Sequence, residues 1–371
     1  MGSPQADAIF YSTGPFNSYM DQDEQPKHLP ESLPNEAIGE DEHSRPQPAD
    51  EPIPTVDTQD LFRVMRHTVD RLEKDKTARG DLKILSRTLR ELRYAFTVFR
   101  PFRRRRKVTI FGSARTPPEH PEYQAGVELG RRFAGHGWMV ITGAGGGIME
   151  AGHRGAGREA SMGLNIMLPF EQSANPYIDG DAKLVTMKYF FTRKLMFVKE
   201  CSAVICLPGG FGTLDEAFET ITLMQTGKQT MIPLVLVDHP GGSYWHDMGK
   251  FIDKQLLGNG MISPADGNLY RITNSIDEAM DTVLGFYKVY HSMRYVNDHV
   301  VMRLKRRLTD EHLERIRAEY SDILAGGTFQ QRDALPEESG EPDLAEMPRL
   351  VFHFNRRSLG RMRGLIDVIN H

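Results

Sequence analysis

Leu207-Pro208-Gly209-Gly210-Phe211-Gly212-Thr213-Leu214-Asp215-Glu216 is the stretch on which the fold turns. Just ahead of it, Ala203-Val204-Ile205-Cys206-Leu207 is apolar without a break and reads as a buried strand. Just behind, Leu214, Ala217, Phe218, Ile221 and Leu223 recur at helical spacing. The glycines therefore sit where a strand ends and a helix begins. Such a turn aims backbone N–H groups and the positive end of a helix dipole at one point, which suits an anion. Thr213 adds a hydroxyl, and Glu216 lies one turn into the helix, close enough to face whatever the loop holds.

Working outward, the same alternation repeats. Residues 108–113 read as a first strand ending in Gly112-Ser113, and a helix over 123–136 follows with Val127, Leu129 and Phe133 inward. Residues 138–142 form a second strand that runs into Gly143-Ala144-Gly145-Gly146-Gly147, and 148–159 then reads as a helix rich in Gly and Ala. Residues 164–168 make a third strand and 184–187 a short fourth, before a helix over 190–200 that carries Arg193 and Lys194. Residues 232–237 close the sheet, and a helix over 244–257 covers it. This order predicts an α/β fold, a parallel, doubly wound sheet with helices on both faces. Ligands in such sheets sit beyond the carboxyl ends of the strands, where all three glycine-bearing turns fall.

The flanks differ in kind. Residues 1–56 carry eleven acidic residues against two basic ones and no apolar periodicity, which predicts a disordered acidic tail. Phe10, Tyr11 and Phe16 are the residues in it that could dock elsewhere. Residues 57–104 read as a helical extension, with Leu61, Met65, Val69 and Leu72 on one stripe and Leu82, Leu85, Leu89, Leu92, Phe96 and Phe99 on a second. Such a pair packs on the main domain or on a partner subunit. The five cations from Arg103 to Lys107 lack interleaved aromatics and read as a solvated strand entry, or as a patch facing the acidic tail. From 291 to 371 the chain reads as a helical, basic appendage. Thr309 caps a helix stopped by Gly326-Gly327, an acidic linker covers 331–348, Leu350, Phe352 and Phe354 alternate like a strand, and a last helix follows.

Composition excludes several classes. The 371 residues carry a net charge of -4, so no global field favours nucleic acid or an anionic membrane. The 2 cysteines, Cys201 and Cys206, suggest no disulfide framework and fit a reducing, cytoplasmic compartment. Neither a membrane span nor an export signal is expected. The histidines show no metal-ligand spacing and H-E-x-x-H is absent, so no metal or cofactor is expected.

The glycine clusters each admit a plain structural reading. The cluster at 143–147 has Ile148 where a dinucleotide fingerprint needs its third glycine, and no Gly-Lys-Ser/Thr follows to make a P-loop. Two such clusters at strand-to-helix turns favour one shared phosphate site over tight packing turns. Thr213-Leu214-Asp215-Glu216 equally matches a capping box, in which Glu216 reaches back to the backbone and does no chemistry. Arg193-Lys194 fits a solvated helix face as well, although Phe190, Phe191, Leu195, Met196 and Phe197 around it make a paired charge the expectation.

Taken together, Gly145-Gly146-Gly147-Ile148-Met149-Glu150-Ala151, then Arg193-Lys194, then Pro208 through Glu216 resemble the Lonely Guy (LOG) family, whose signature is P-G-G-x-G-T-x-x-E with an upstream Arg-Lys pair. The resemblance covers roughly residues 105–290 and implies a Rossmann-like catalytic domain. It also implies cleavage of the N-glycosidic bond of nucleoside 5′-monophosphates to free base and ribose 5-phosphate. Members were long labelled lysine decarboxylases. Residues 168–172, with Asn175-Pro176-Tyr177, and the long flanks resemble the larger bacterial branch, which favours AMP over cytokinin riboside monophosphates. Carried over by motif, Glu216 is the candidate catalytic carboxylate and Arg193 matches the family's catalytic arginine. The 5′-phosphate is expected on the N–H groups of Gly210, Phe211, Gly212 and Thr213, helped by Gly145, Gly146 and Gly147. Ser113, Met149, Lys194 and Gly209 complete the expected substrate contacts, and a homodimer or larger assembly is implied. The runners-up are a non-catalytic nucleotide-binding or carrier module, a pyridoxal phosphate enzyme using Lys194, and an interaction protein built on the appendages.

Overall fold

Helices α1 (Gln59–Lys74) and α2 (Arg79–Phe99) come first. The computed structural model describes residues 58–168 and 173–371. The expected acidic tail, Phe10, Tyr11 and Phe16 within it, and residues 169–172 of the branch-specific segment lie outside the described residues. The central part then alternates as the sequence predicts: β1 (Lys107–Phe111), α3 (Pro121–Gly135), β2 (Met139–Thr142), α4 (Ile148–Ala160), β3 (Ser161–Ile166), β4 (Leu184–Met187), α5 (Phe190–Glu200), β5 (Ala203–Cys206), α6 (Phe211–Gln225), β6 (Leu234–Val237) and α7 (Tyr244–Phe251). Past α7 the chain continues as a π-helical turn over Ile252–Leu257, then β7 (Arg271–Thr273) and α8 (Ile276–Phe286).

Hydrogen bonding orders the strands β4-β3-β2-β1-β5-β6-β7, every pair parallel. β1, β2, β5 and β6 are buried at every position, as strands covered on both faces must be, which explains why they are mostly apolar, with Lys107, Thr109 and Thr142 the buried polar exceptions. Leu234–Val237 does not close the sheet: β7 pairs beyond it. Its three residues, one of them an exposed arginine, are too few to carry a strand signal. The chain winds from β1 out to β4, then returns to lay β5 on the other side of β1. The crevice between β1 and β5 is the switch point at which such sheets bind ligands.

The C-terminal part corrects the expectation of a helical appendage. It forms an antiparallel sheet of β8 (Tyr290–Val296), β9 (His299–Leu304), β10 (Leu324–Arg332) and β11 (Arg349–Phe354), in the order β10-β11-β9-β8. Only α9 (Asp310–Glu319) and α10 (Leu359–Asn370) are α-helical there. Thr309 caps α9 as expected, its hydroxyl accepting from the His312 N–H, but the helix ends at Glu319 and Gly326-Gly327 lie in β10. The stretch read as an acidic linker supplies Glu338 and Glu341, both buried. Glu338 spans Arg303 of β9 and Arg349 of β11, accepting from Arg303 Nε at 3.0 Å and Arg349 Nε at 2.9 Å.

This sheet shares the main hydrophobic core. At the seam Trp138 lies 5.9 Å from Tyr287, and the Arg106 guanidinium stacks 3.6 Å over the Tyr287 ring. The cation run is thus a solvated strand entry only in part: Arg104 and Arg105 are exposed, while Arg106 and Lys107 turn inward. Lys107 is fully buried with Nζ 3.6 Å from Glu200, and Arg104 pairs with Asp343 at 2.5 Å. Asn370 fastens α10 to the start of β8. Its side-chain oxygen accepts from the Val289 and Tyr290 N–H groups, and its amide donates to the Phe286 and Ile366 carbonyls. The N-terminal helices are less committed. α1 buries no residue, α2 buries Glu91, Ala95 and Phe99, and Leu61, Met65, Val69, Leu82, Leu85 and Leu89 remain exposed.

Candidate active site

Ser113 is the point at which the three strand-end turns meet. Its N–H donates to the Pro208 carbonyl after β5, and its carbonyl accepts from the Ile148 N–H at the start of α4, both at 3.0 Å. Gly147 makes the second contact possible: its φ of 60° and ψ of -127° suit glycine, and a Cβ there would fall 2.3 Å from the Ser113 carbonyl oxygen. Gly209 is equally confined, since a Cβ would fall 2.2 Å from Thr213 Oγ1 and 2.8 Å from Ser113 N. The Gly209 carbonyl accepts from the Tyr244 hydroxyl at 2.7 Å, and the Trp245 ring meets Tyr244 edge-on at 4.9 Å. Gly147→Ala is accordingly expected to cost about 1–3 kcal/mol in backbone strain alone, before the clash is counted. Urea unfolding reads that cost, and a variant as stable as the wild type would contradict it.

The start of α6 resolves the two readings of Glu216. The N-cap is Gly210 and the helix begins at Phe211, so no capping box exists and no side chain caps the helix. Glu216 stands well past the first turn, where a reach back to the cap is not available. One expected phosphate contact is corrected: the Thr213 N–H already donates to the Gly210 carbonyl at 3.0 Å. Phe211 and Gly212 keep first-turn amides that the helix itself cannot satisfy. The Phe211 side chain is 92% exposed.

Charge converges on Glu216 from α5. Glu216 is 6% exposed, with Lys194 Nζ at 3.7 Å. Burial pushes its carboxyl up to about 7; Lys194 and Arg193 pull against that shift, while Glu219 and Asp215 add to it. Lys194 also meets Asp215 at 2.9 Å and Glu219 at 2.7 Å. Burial works against its charge, but these carboxylates outweigh that and hold the ammonium above the ordinary lysine range. Arg193 lies over the rings of Phe190 and Phe197, at 5.1 and 5.5 Å. Its Nη1 is 3.7 Å from where a Cβ of Gly143 would stand, and the Met149 thioether crosses the same spot and Gly145. Arg193 and Met149 therefore meet at the Gly143–Gly145 turn, while Lys194 pairs with Glu216 on α6. Gly146 contributes backbone only, facing the Ala114 carbonyl.

A further group holds the second turn from behind. Asn175 donates its side-chain amide to the Gly145 carbonyl at 3.0 Å, and its N–H to the Ala144 carbonyl at 2.8 Å. Its amide nitrogen also lies 3.2 Å from His153 Nδ1, while His153 Nε2 lies 3.1 Å from Thr142 Oγ1 and 3.0 Å from the Met162 carbonyl. Burial lowers the His153 pKa to about 4, so the imidazole is neutral and structural. In the sequence Asn175 stood out only within the branch-specific segment, with no role assigned to it. Cys201 and Cys206 are free and buried, and burial pushes the Cys201 thiol up to about 12, far from a reactive thiolate. Among the described residues no cluster of three or more His, Cys, Asp or Glu side chains could hold a metal ion, and no helix is long and apolar enough to cross a membrane.

Comparison with known proteins places this site within a family. Residues 146–283 match the family described as "Possible lysine decarboxylase". A "Probable cytokinin riboside 5'-monophosphate phosphoribohydrolase" of Oryza sativa subsp. japonica is 32% identical over 165 residues, 43% of this chain and 63% of that protein, so the match spans under two thirds of its length. A cytokinin riboside 5'-monophosphate phosphoribohydrolase of Mycobacterium tuberculosis is 30% identical over 166 residues, 44% of this chain and 86% of that protein. Among solved structures, the molybdenum cofactor binding protein of Rippkaea orientalis shares 20% identity at a TM-score of 0.34, over 48% of this chain and 94% of that one, too slight a likeness to add to the strand order. The motifs at 145–151, 193–194 and 208–216 and the match across most of the mycobacterial protein agree: this chain belongs to the LOG family.

Proposed function

We propose that this protein hydrolyses the N-glycosidic bond of nucleoside 5′-monophosphates, AMP foremost, releasing free base and ribose 5-phosphate. The observation that carries the reading is the buried Glu216 with Lys194 Nζ at 3.7 Å and within the field of Arg193, whose Nη1 reaches the Gly143 turn. Water oxygen bonds to the anomeric carbon, the carbon–nitrogen bond breaks, and its electron pair leaves with the base, which takes up a proton. Positive charge builds on the ribose as the bond lengthens. A carboxylate at that carbon stabilises the charge or deprotonates the water, by the logic of glycoside hydrolysis. Arg193 orients Glu216 or the substrate, and the 5′-phosphate rests on the amides of Gly210, Phe211 and Gly212, with Gly145, Gly146 and Gly147 and the Ser113 turn alongside. Assembly into a homodimer or larger oligomer belongs to the proposal, since Leu61, Met65 and Val69 of α1 and Leu82, Leu85 and Leu89 of α2 are exposed among the described residues.

The test is incubation of the purified protein with AMP, GMP, CMP, UMP and isopentenyladenosine monophosphate, with free base as the readout. Release from none of them, with nucleotide binding intact, would favour a carrier or binding module instead. The ionised carboxylate is the working form, and its pKa is raised to about 7, so kcat/KM is expected to climb as pH rises through about 7 and then level. A flat profile across that range would rule out titration of Glu216 as the control. A pyridoxal phosphate reading does not fit these residues. A Schiff-base lysine must present a free amine, whereas the carboxylates around Lys194 hold it as an ammonium.

A further inference from the structure

Helix α5, which carries Arg193 and Lys194, has no capping side chain of its own. Its N-cap is Tyr189, and no side chain of the helix accepts from its first turn. The acceptor comes from far earlier in the chain. Glu91 on α2 is 6% exposed; its Oε1 accepts from the Lys188 N–H at 2.8 Å and from Arg87 Nε at 2.7 Å. Its Oε2 lies 2.9 Å from the hydroxyl of Thr192, a fully buried residue that directly precedes Arg193. That hydroxyl is also 2.8 Å from the Tyr189 carbonyl, so one proton is shared between two acceptors across the first turn.

Packing does not explain this glutamate. The other buried residues of α2 are Ala95 and Phe99, both apolar, and a buried carboxylate is costly unless hydrogen bonds satisfy it. Here they do. Burial opposes ionisation, but the bonds from Arg87, the Lys188 N–H and Thr192 hold the carboxyl below its ordinary range, so an anion stands at the positive end of the α5 dipole. Arg87 completes the clamp from the same face of α2.

We infer that Glu91 is a positioning residue: it clamps the first turn of α5 and thereby holds Arg193 and Lys194 against Glu216. The inference rests on the hydrolase reading where it concerns turnover. It gives the N-terminal extension a role in the site through the first turn of α5. The groups facing Glu216 are Arg193 and Lys194 from α5, Asp215 and Glu219 from α6, and the neutral Cys206 of β5. Loosening α5 withdraws the two cations and leaves the acids in place.

The experiment compares the wild-type protein with Glu91→Gln, which keeps the shape and loses the charge, and with Glu91→Ala. The measurements are kcat, KM and the pH profile with AMP, the melting temperature, and amide hydrogen exchange of residues 188–194. Expected for Glu91→Gln is a fall in kcat on the order of tenfold, since small misplacements of catalytic groups carry such penalties. The acid limb of its pH profile is expected to move to higher pH, and exchange in the first turn of α5 to speed up several-fold. Unchanged kcat, pH profile and exchange would overturn the inference. So would a loss of activity that only follows the folded fraction, with the acid limb unmoved. If the wild-type protein releases no base, the hydrolase reading fails by itself and exchange decides the clamp: faster exchange in a folded Glu91→Gln supports it, and wild-type exchange overturns it.

Discussion

Glu216→Gln is expected to keep nucleotide binding and lose on the order of 10²–10⁴-fold in kcat, the range a positioned acid or base contributes. The amide has the shape of the carboxyl and cannot ionise, so it neither stabilises positive charge on the ribose nor accepts a proton. Stability separates this loss from misfolding. The folded carboxyl titrates at about 7, above its ordinary value of 4.5, so between those values the native state retains a proton that the unfolded chain releases. Stability conferred by wild-type Glu216 therefore falls as pH rises through that window. The glutamine variant escapes the penalty and is expected to melt higher than the wild type at pH 8. A variant that turns over AMP at the wild-type rate would remove Glu216 from the mechanism. One that melts lower would show that the carboxylate supports the fold rather than burdening it.

The largest stability effect is expected at Glu338. Arg303 and Arg349 sit directly opposite each other on β9 and β11, both fully buried, an arrangement of like charges that destabilises a strand pair. Glu338 takes one guanidinium on each oxygen and the Leu335 N–H as well, while Glu341 pairs with Arg303 from the side. Removing the bridge leaves buried cations facing each other, so Glu338→Ala is expected to cost about 3–5 kcal/mol in urea unfolding. Replacing Arg303, Glu338 and Arg349 together by apolar residues of similar volume is expected to restore most of that stability. If the triple variant is no more stable than Glu338→Ala, the cost lies in packing and not in unpaired charge. The hydrogen bond from Arg349 and the charge of Arg303 hold the Glu338 carboxyl below its ordinary range despite burial. Its contribution is thus complete above the ordinary carboxylate range and lost as pH falls through the depressed value.

The parallel sheet was legible because its central strands are short, mostly apolar runs and β1, β2 and β5 lead into glycine-bearing turns, a signal contained within a few residues. β7 escaped because Arg271-Ile272-Thr273 is too short to show a pattern. Of the C-terminal sheet only β11 was legible, from the alternation of Leu350, Phe352 and Phe354; its partners escaped, and the acid that neutralises Arg303 and Arg349 lies 35 and 11 residues away. A local reading assigns those acids to a solvated linker. The same holds at the site. Pro208 through Glu216 and Arg193-Lys194 could be found from spacing, and the resemblance they carry led to the family. The choice between cap and buried acid could not be made from spacing, because it depends on the helix starting at Phe211. Asn175, His153 and Glu91 act on turns distant in sequence, and only folding brings them there.

The 2 tryptophans occupy two different joints of the molecule. Trp138 sits beside Tyr287 at the seam between the parallel and antiparallel sheets, and Trp245 meets Tyr244, whose hydroxyl anchors the Gly209 turn. Intrinsic emission is therefore spatially resolved without labelling. The light from Trp245 follows the Gly209 turn, and the light from Trp138 follows the docking of one sheet on the other. Trp138→Phe and Trp245→Phe, each leaving a single emitter, divide an unfolding trace or a nucleotide titration into those two separate signals.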